Sequence, residues 1–318
     1  MSVSPSTFNL LTLLRFEGVG PQAAIRFAGG DLSDHQNHPQ WSDARGTAQV
    51  IVDESIAAGI DIVGWFDREF PERLRKIPDP PAVLYARGKL GLTAAAHSVA
   101  VVGTREPNSD GRARTEEITT AFAQAGWTIV SGLALGVDTV AHEVALRHNA
   151  PIVAVLGSGL DAVYPERNKG LADEIVQSGG LLLAEVPPGV DVSAGQLVAR
   201  DRLQSGLSDL TIVCQAGIHS GAMHTARFAI EQGRQLYVPL IEDESALGED
   251  AGIAALQHAP GRALPSLIPA WKHARAGAVS SSHPVAARLT ESLLANLDWA
   301  RQIDEARGAE TRPLQYEN

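Results

Sequence analysis

Small and polar residues follow an apolar run near the middle of the chain, in a form that could bind an anion. Gly103, Thr104 and Arg105 come directly after residues 98–102. A glycine there lets backbone N–H groups approach a phosphate, Thr104 can donate a hydroxyl hydrogen bond, and Arg105 can pair through its planar guanidinium. Neither Gly-x-Gly-x-x-Gly nor Gly-x-x-x-x-Gly-Lys-Ser/Thr is present, so no standard nucleotide-cofactor fingerprint is found.

Three further turns of the same kind follow later apolar runs. Each lies where a strand pattern gives way to a helix pattern, and the first N–H groups of a helix attract anions. Their small and hydroxyl residues are Ser131, Gly132, Gly157, Ser220, Gly221 and Thr225. Because parallel strands end at one edge of a sheet, the four turns should lie together there.

Two arginines, Arg200 and Arg202, flank Asp201 before the next apolar run. They could hold successive phosphates, or one could pair with an internal carboxylate. Residues 195–240 carry four arginines against two aspartates and one glutamate. This segment is therefore mildly basic within an acidic protein.

The sequence gives less support for catalysis or metal binding. Asp138 is expected to cap a helix, and His142 lies one turn later, within reach of a hydrogen bond. An Asp–His pair can act as a general base, but no serine or cysteine nucleophile is fixed beside it. His219 and His224 lack a third ligand for a metal. We therefore expect no catalytic residue, metal or cofactor.

The elements that position these residues follow from the apolar runs. Six short runs alternate with helical patterns, which is typical of βαβ units with a parallel sheet buried on both faces. The runs are 98–102, 127–130, 152–156, 181–184, 210–213 and 235–238. The sequence predicts an α/β fold with a mostly parallel sheet and helices on both faces.

The chain divides into four predicted parts. Residues 1–60 form a small helical domain, 61–95 a connecting strand segment, 96–245 the main α/β domain, and 246–318 a helical, partly flexible extension with a short helix near 286–300. Prolines before residues 83–86 indicate an edge strand, which could join the main sheet.

The N-terminal part carries two helix patterns separated by a glycine hairpin at residues 18–20. This resembles a helix-hairpin-helix (SAM-like) module, whose hairpin can offer backbone N–H groups to a DNA phosphate. A packing module that does not contact DNA remains the other interpretation.

Composition limits the class of protein. The chain has 318 residues, 44% hydrophobic and 20% charged, as in ordinary soluble domains. It shows no membrane-length apolar run and no signal-peptide pattern, and Cys214 is its one cysteine, so we expect a cytoplasmic protein. The net charge of −11 argues against broad nonspecific nucleic-acid binding but leaves room for a local basic cleft.

Several motifs occur together in one order. They include Val-Val-Gly-Thr-Arg at 101–105, Val-Ser-Gly-Leu-Ala at 130–134, Ala-Val-Leu-Gly at 154–157, Pro-Pro-Gly at 187–189, and the segments 200–208, 220–226 and 231–234. With these motifs, residues 6–240 resemble the DNA-processing protein A family (DprA, also called Smf).

The resemblance implies an extended Rossmann-like fold that binds single-stranded DNA without catalysis. It also implies that the protein passes the strand to a RecA-type recombinase in natural transformation and self-associates as a homodimer or larger assembly. The implied phosphate pocket consists of Gly103, Thr104, Arg105, Ser131, Gly132, Arg200, Arg202, Ser220 and Gly221.

The chain departs from the family pattern in two places: residues 197–202 are Leu-Val-Ala-Arg-Asp-Arg where the family usually shows Phe-Pro-x-Arg-Asn-Arg, and residue 215 also differs. Asp201 stands where the family usually has an amide, which weakens the electrostatics of the site, and Gln215 replaces a common glutamate. No winged-helix domain is recognised after residue 245. A divergent member, in defence or regulation, would fit these departures.

Two alternatives stay open. One is a nucleotide-sensing module that acts through a protein partner. The other is an enzyme similar to nucleotide phosphoribohydrolases, although their Pro-Gly-Gly-x-Gly-Thr run is missing here.

Overall fold

A computed structural model describes residues 3–239, 248–258 and 277–279. These residues contain a nine-stranded sheet in the order β1-β2-β6-β5-β4-β3-β7-β8-β9. The strands are β1 Asp61–Gly64, β2 Val83–Gly88, β3 Ser98–Val102, β4 Thr128–Ser131, β5 Ile152–Leu156, β6 Leu181–Ala184, β7 Leu210–Val213, β8 Gln235–Pro239 and β9 Gly277–Val279.

Helices lie between most of the strands. They are α1 Pro5–Leu13, α2 Pro21–Ala28, α3 Ser33–Gln36, α4 Trp41–Ala57, α5 Glu72–Arg75, α6 Ser109–Gln124, α7 Val137–Arg147, α8 Lys169–Gln177, α9 Ala194–Leu207, α10 Ala222–Glu231 and α11 Ala251–His258. None of those in the described part is both long and apolar enough to cross a membrane.

The sheet is mostly parallel, which confirms the predicted fold class. β3 to β9 pair in parallel with one another. Every residue of β3 and β5 is buried, as expected for strands covered by helices on both faces. The antiparallel pairs are β1 with β2 and β2 with β6.

The expectation that residues 83–86 form an edge strand is wrong. β2 lies inside the sheet, between β1 and β6, and its first four residues are buried. Pro80 and Pro81 precede the strand, so every N–H group from Val83 onward can pair on either side. β1 is the edge instead, and the segment 61–95 supplies two strands of the main sheet.

The helices before residue 60 include the predicted pair around the glycine hairpin. Gly18, with φ of +76°, lies in the turn, and Gly20 precedes α2. Leu10 and Leu11 of α1 share one apolar core with Val83 and Tyr85 of β2. The helical part thus packs directly on the sheet, and a boundary at residue 60 stays a prediction.

The side chain of Asp67 joins α1 to the turn after β1 through hydrogen bonds. Its carboxylate accepts hydrogen bonds from the hydroxyls of Ser4 and Thr7, both at 2.6 Å, and from the N–H of Gly64 at 2.8 Å. A Cβ atom at Gly64 would lie 2.9 Å from the Cβ of Thr7, so the close approach of α1 requires glycine there.

Part of the predicted C-terminal extension joins the sheet. α11 belongs to an apolar cluster with residues of β7, β8 and α10, and β9 pairs in parallel with β8. The short helix predicted near 286–300 lies outside the described residues. Cys214, directly after β7, is buried as expected.

Candidate functional site

A cavity of about 650 Å³ lies at the carboxyl ends of β3, β4 and β7. Its walls come from the turn after β3, the turn after β4, the turn after β7 with the start of α10, and the side of α9. Seven of the eleven predicted site residues line it: Gly103, Thr104, Arg105, Arg200, Ser220, Gly221 and Thr225. The sheet edge chosen from the sequence is therefore the edge that carries this cavity.

The turn after β3 is held tightly on both sides. The N–H of Thr104 donates to the carbonyl of Gln215 at 2.7 Å, and the carbonyl of Thr104 accepts from the N–H of Val137 at 3.1 Å. A Cβ atom at Gly103 would lie 2.6 Å from the Cγ2 of Val137 and 2.9 Å from the Gln215 carbonyl oxygen. Only glycine fits there, so the backbone that carries Arg105 has a fixed path.

Arg105 is exposed on the wall of this cavity. Among the residues that the structure describes, no carboxylate forms an ion pair with it and no acceptor forms a hydrogen bond with it. A guanidinium whose N–H groups have no other acceptor can donate hydrogen bonds to two oxygens of a phosphate at once.

Arg200 is held beneath the cavity by main-chain carbonyls. Its Nη1 donates to the carbonyl oxygens of Gly132 and Val155, at the ends of β4 and β5. A side chain at position 132 would collide with this guanidinium, so Gly132 makes space for Arg200. The Nη2 group of Arg200 donates to no acceptor within the described ranges.

Two buried carboxylates lie beside Arg200. Oδ1 of Asp201 is 3.2 Å from the Nε of Arg200. Burial raises the pKa of Asp201 to about 7, although the charge of Arg200 opposes the rise. Burial also raises the pKa of Asp138, again against Arg200. Both carboxylates line the cavity.

The predicted cap of α7 is wrong. Gly136, with φ of +80°, is the N-cap, and Asp138 lies in the first turn. The Asp138 carboxylate accepts from the N–H groups of Gly132 at 3.0 Å and Ala134 at 3.3 Å, so it closes the turn from inside the helix. The glycine conformation lets the chain reverse before the helix starts.

The expected hydrogen bond between Asp138 and His142 is also absent from the described structure. His142 is fully buried, and burial lowers its pKa to about 3, so the imidazole is neutral near pH 7. A buried imidazole of such low pKa is a poor proton acceptor, and this pair does not form a general base.

The turn after β7 presents the N-terminus of α10 to the cavity. Gly221 is the N-cap and provides no side chain, but the N–H groups of residues 223–224 already donate to the carbonyls of Ser220 and Gly221, at 3.0 and 2.9 Å. The N–H of Ala222 has only a weak contact of 3.4 Å with the Ser220 hydroxyl. Thr225 lines the same wall one turn further on. Together these groups are suited to an anion.

Four predicted site residues lie behind the cavity wall. The Ser131 hydroxyl donates to the carbonyl of Val101 at 2.7 Å and so joins β4 to β3. Gly132 makes space for Arg200. Gly157 lies against α9, where a Cβ atom would be 2.9 Å from the Cα of Leu197.

Arg202, the fourth, points away from the cavity. Its Nη2 binds both carboxylate oxygens of Glu185, at 2.9 and 2.8 Å, and its Nε donates to the carbonyl of Asp79 at 2.9 Å. Residues two apart on a helix lie on different faces, so Arg200 and Arg202 cannot hold neighbouring phosphates at one site. Of the two interpretations, pairing with an internal carboxylate describes Arg202.

The sequence did not single out Gln204 and Glu106, which also line the cavity. Gln204 follows Arg200 by one helical turn, and that spacing was the available signal. Gln215, noted only as a departure, supports the first turn: its Oε1 accepts from the N–H of Asn108 at 3.0 Å. No group of three or more metal-ligating side chains occurs in the part of the chain that the structure describes.

Comparison with known proteins identifies relatives. Residues 61–256 match the family model of DNA recombination-mediator protein A. The chain is 41% identical over 174 residues to protein Smf of Synechocystis, which covers 54% of this chain and 44% of the relative. It is 35% identical over 179 residues to DNA processing protein DprA of Bacillus subtilis, which covers 56% and 60%. The chain thus spans about half the length of the curated relatives it matches.

Solved structures agree with this assignment. The crystal structure of DprA from Streptococcus pneumoniae has a TM-score of 0.68 and 26% identity, covering 88% of this chain and 95% of that one. A structure of DNA processing protein A from Helicobacter pylori, described for its single-stranded DNA binding mode, has a TM-score of 0.53 and 33% identity, covering 61% and 88%. The family model covers more than half of the 318 residues, and the chain belongs to the DNA recombination-mediator protein A family.

Proposed function

We propose that this protein binds single-stranded DNA without a catalytic step and holds the backbone phosphates in the cavity at the carboxyl ends of β3, β4 and β7. The observation that carries the proposal is the exposed guanidinium of Arg105, which has no ion pair among the described residues. Most other arginines near the sheet are engaged, as Arg202 is with Glu185. An exposed guanidinium with no ion pair among the described residues is suited to a phosphate.

The cavity offers three kinds of donor to a phosphodiester. They are the guanidinium of Arg105, the Nη2 group of Arg200, and the N–H of Ala222 with the Ser220 hydroxyl. None of them reads a base edge, so binding should depend weakly on sequence.

A second cavity of about 230 Å³ lies beside the first and also has Arg200 in its wall. Its lining includes the apolar residues Leu156, Val186 and Pro187. Two adjoining cavities that share one arginine suit a polymer that continues past a single nucleotide better than a mononucleotide. This supports the DNA proposal over a nucleotide sensor.

Family membership supports two finer proposals. The protein would pass bound strands to a RecA-type recombinase during DNA uptake or recombination, and it would act as a homodimer or larger assembly. The DNA-binding step can be tested without either of them.

Fluorescence anisotropy of a labelled thymidine strand of about 20 nucleotides tests the proposal. Arg105→Ala should weaken binding about tenfold, the effect of losing a charged hydrogen-bonded contact. Arg112→Ala is the matched control, because Arg112 is also exposed, lies on α6 and does not line the cavity. Its affinity should equal that of the wild type.

Equal loss in both arginine variants would show only a general charge effect and would contradict the proposed site. Full displacement of the strand by an equimolar amount of thymidine 5′-phosphate would favour the nucleotide sensor instead.

A further inference from the structure

The cavity carries more carboxylates than an ordinary anion site. Its charged lining residues are two arginines and three acids: Arg105, Arg200, Glu106, Asp138 and Asp201. An anion placed there therefore meets attraction and repulsion of similar size. The question is which anion such a balanced site accepts.

The three acids do not act equally on a ligand. Glu106 is exposed, so water and salt screen its charge. The Asp138 carboxylate is occupied by the N–H groups of Gly132 and Ala134. Asp201 is different, because it forms an ion pair with Arg200, the buried arginine of the cavity, through its Oδ1 at 3.2 Å. The Asp201 carboxylate thus offsets the charge of Arg200 and reduces the attraction that this arginine can offer to an anion.

The charge of a phosphate group depends on its position in a nucleic acid. A phosphodiester inside a strand carries one negative charge. A terminal phosphate loses a second proton near pH 6 and carries nearly two charges at pH 8. The free energy needed to remove an ion from water rises steeply with its charge. The attraction of a site with nearly balanced charges does not offset this desolvation free energy.

We propose that Asp201 makes this cavity selective for the singly charged phosphodiester inside a strand and against the doubly charged phosphate at a strand end or on a mononucleotide. The proposal rests on the proposed DNA-binding function. It gives a physical reason for an acid at the wall of a phosphate site. A protein with this selectivity would occupy the interior of a strand and would not be captured by free nucleotides.

Two competitors that differ only in charge test the proposal. Thymidine 5′-phosphate and its methyl ester share one nucleoside, but at pH 8 the first is doubly and the second singly charged. Each is titrated against the labelled strand bound to the wild-type protein. We expect the methyl ester to displace the strand at a concentration about tenfold lower.

In Asp201→Asn, the concentrations at which the two competitors displace the strand should differ by no more than about threefold. The main change should be that thymidine 5′-phosphate displaces the strand at a lower concentration than in the wild type. Asparagine keeps the shape and an oxygen that can accept from the Nε of Arg200. Asp201→Ser is a second variant in case the first does not fold. Glu106→Gln removes a carboxylate from the same cavity. For this variant, the ratio of the two displacing concentrations should equal that of the wild type.

Equal competition by both compounds in the wild type would overturn the proposal, as would a ratio that Asp201→Asn leaves unchanged. A shift of the same size in Glu106→Gln would also overturn it. If the wild type binds no strand at low salt, the DNA-binding function fails and this inference fails with it. Strand binding with equal competition refutes only the selectivity.

Discussion

Arg200 and Arg202 lie two residues apart on α9 and have different surroundings. Arg200 borders the cavity, while Arg202 is held by Glu185 and by the carbonyl of Asp79. Arg202 is only 6% exposed, and burial raises the pKa of Glu185 against the attraction of this arginine. At the residue scale, one arginine belongs to the site and the other supports the packing of α9.

Arg202→Ala should therefore lower stability and spare DNA binding. Removing one partner of a buried ion pair leaves the other charge uncompensated, and we expect a loss of about 3 kcal/mol in the free energy of unfolding, measured in urea. The affinity of the folded fraction for the labelled strand should stay within about twofold of the wild type. A large loss of affinity at unchanged stability would mean that Arg202 contacts DNA.

Asp201 predicts a pH dependence of DNA affinity. Its pKa of about 7 is raised above the ordinary value, so the carboxyl is neutral below that pH and charged above it. A charged carboxylate repels the bound phosphate, and affinity should therefore rise severalfold as the pH falls from 8 to 6. Anisotropy at a series of pH values measures this. Asp201→Asn should give a flatter profile.

Other groups around Asp201 must be separated from this effect. The arginines Arg105 and Arg200 keep their charge across the range. His142 is neutral throughout, because burial lowers its pKa to about 3. Asp138, whose pKa is also raised by burial, remains in Asp201→Asn. His219 also lines the cavity, and His219→Gln is a control that should keep the wild-type profile.

At the scale of elements, the attachment of α1 depends on one carboxylate. Asp67 binds the hydroxyls of Ser4 and Thr7 and the N–H of Gly64. Asp67→Ala leaves three donors without their acceptor, and we expect it to lower the free energy of unfolding by about 2 kcal/mol. Glu69→Ala, an exposed acid in the same turn, should change stability by less than about 0.5 kcal/mol. Equal effects would contradict the assigned role.

The sequence predicted the positions of the strands better than it predicted which strands pair with each other. Buried β-branched runs located β3, β5 and β7, since a strand covered on both faces must be apolar throughout. The place of β2 inside the sheet was missed, because pairing with β1 and β6 is a long-range contact that local proline signals do not carry. The role of Asp138 was missed because it depends on the conformation of Gly136.

The candidate site was also predicted only in part. Turns after strands indicated the edge of the sheet that carries the cavity, and seven predicted residues line this cavity. Which arginine of α9 borders that cavity depends on how the helix is rotated about its axis. The two arginines are also too close in sequence for a periodic pattern to separate them.

At the scale of the whole molecule, the net charge of −11 and the local arginines act in opposite directions. Few phosphates can be neutralised, since Arg105 and Arg200 are the arginines of the cavity. We expect the logarithm of the binding constant to fall with the logarithm of salt at a slope of about −1.4, near −0.7 per neutralised phosphate.

Titration between about 50 mM and about 200 mM salt measures this slope. Arg105→Ala should reduce it by about 0.7. A slope of several units that Arg105→Ala does not change would place the main DNA contact elsewhere on the molecule.

The location of the bound strand is the central claim, and hydrogen exchange read by mass spectrometry tests it most directly. Peptides covering residues 103–108 and 217–222 should exchange more slowly when a thymidine strand of about 20 nucleotides is bound, and Arg105→Ala should reduce this protection at the same DNA concentration. The glycine hairpin at residues 18–20 should exchange at the same rate with and without DNA. Protection confined to that hairpin, with no change at the cavity, would contradict the account.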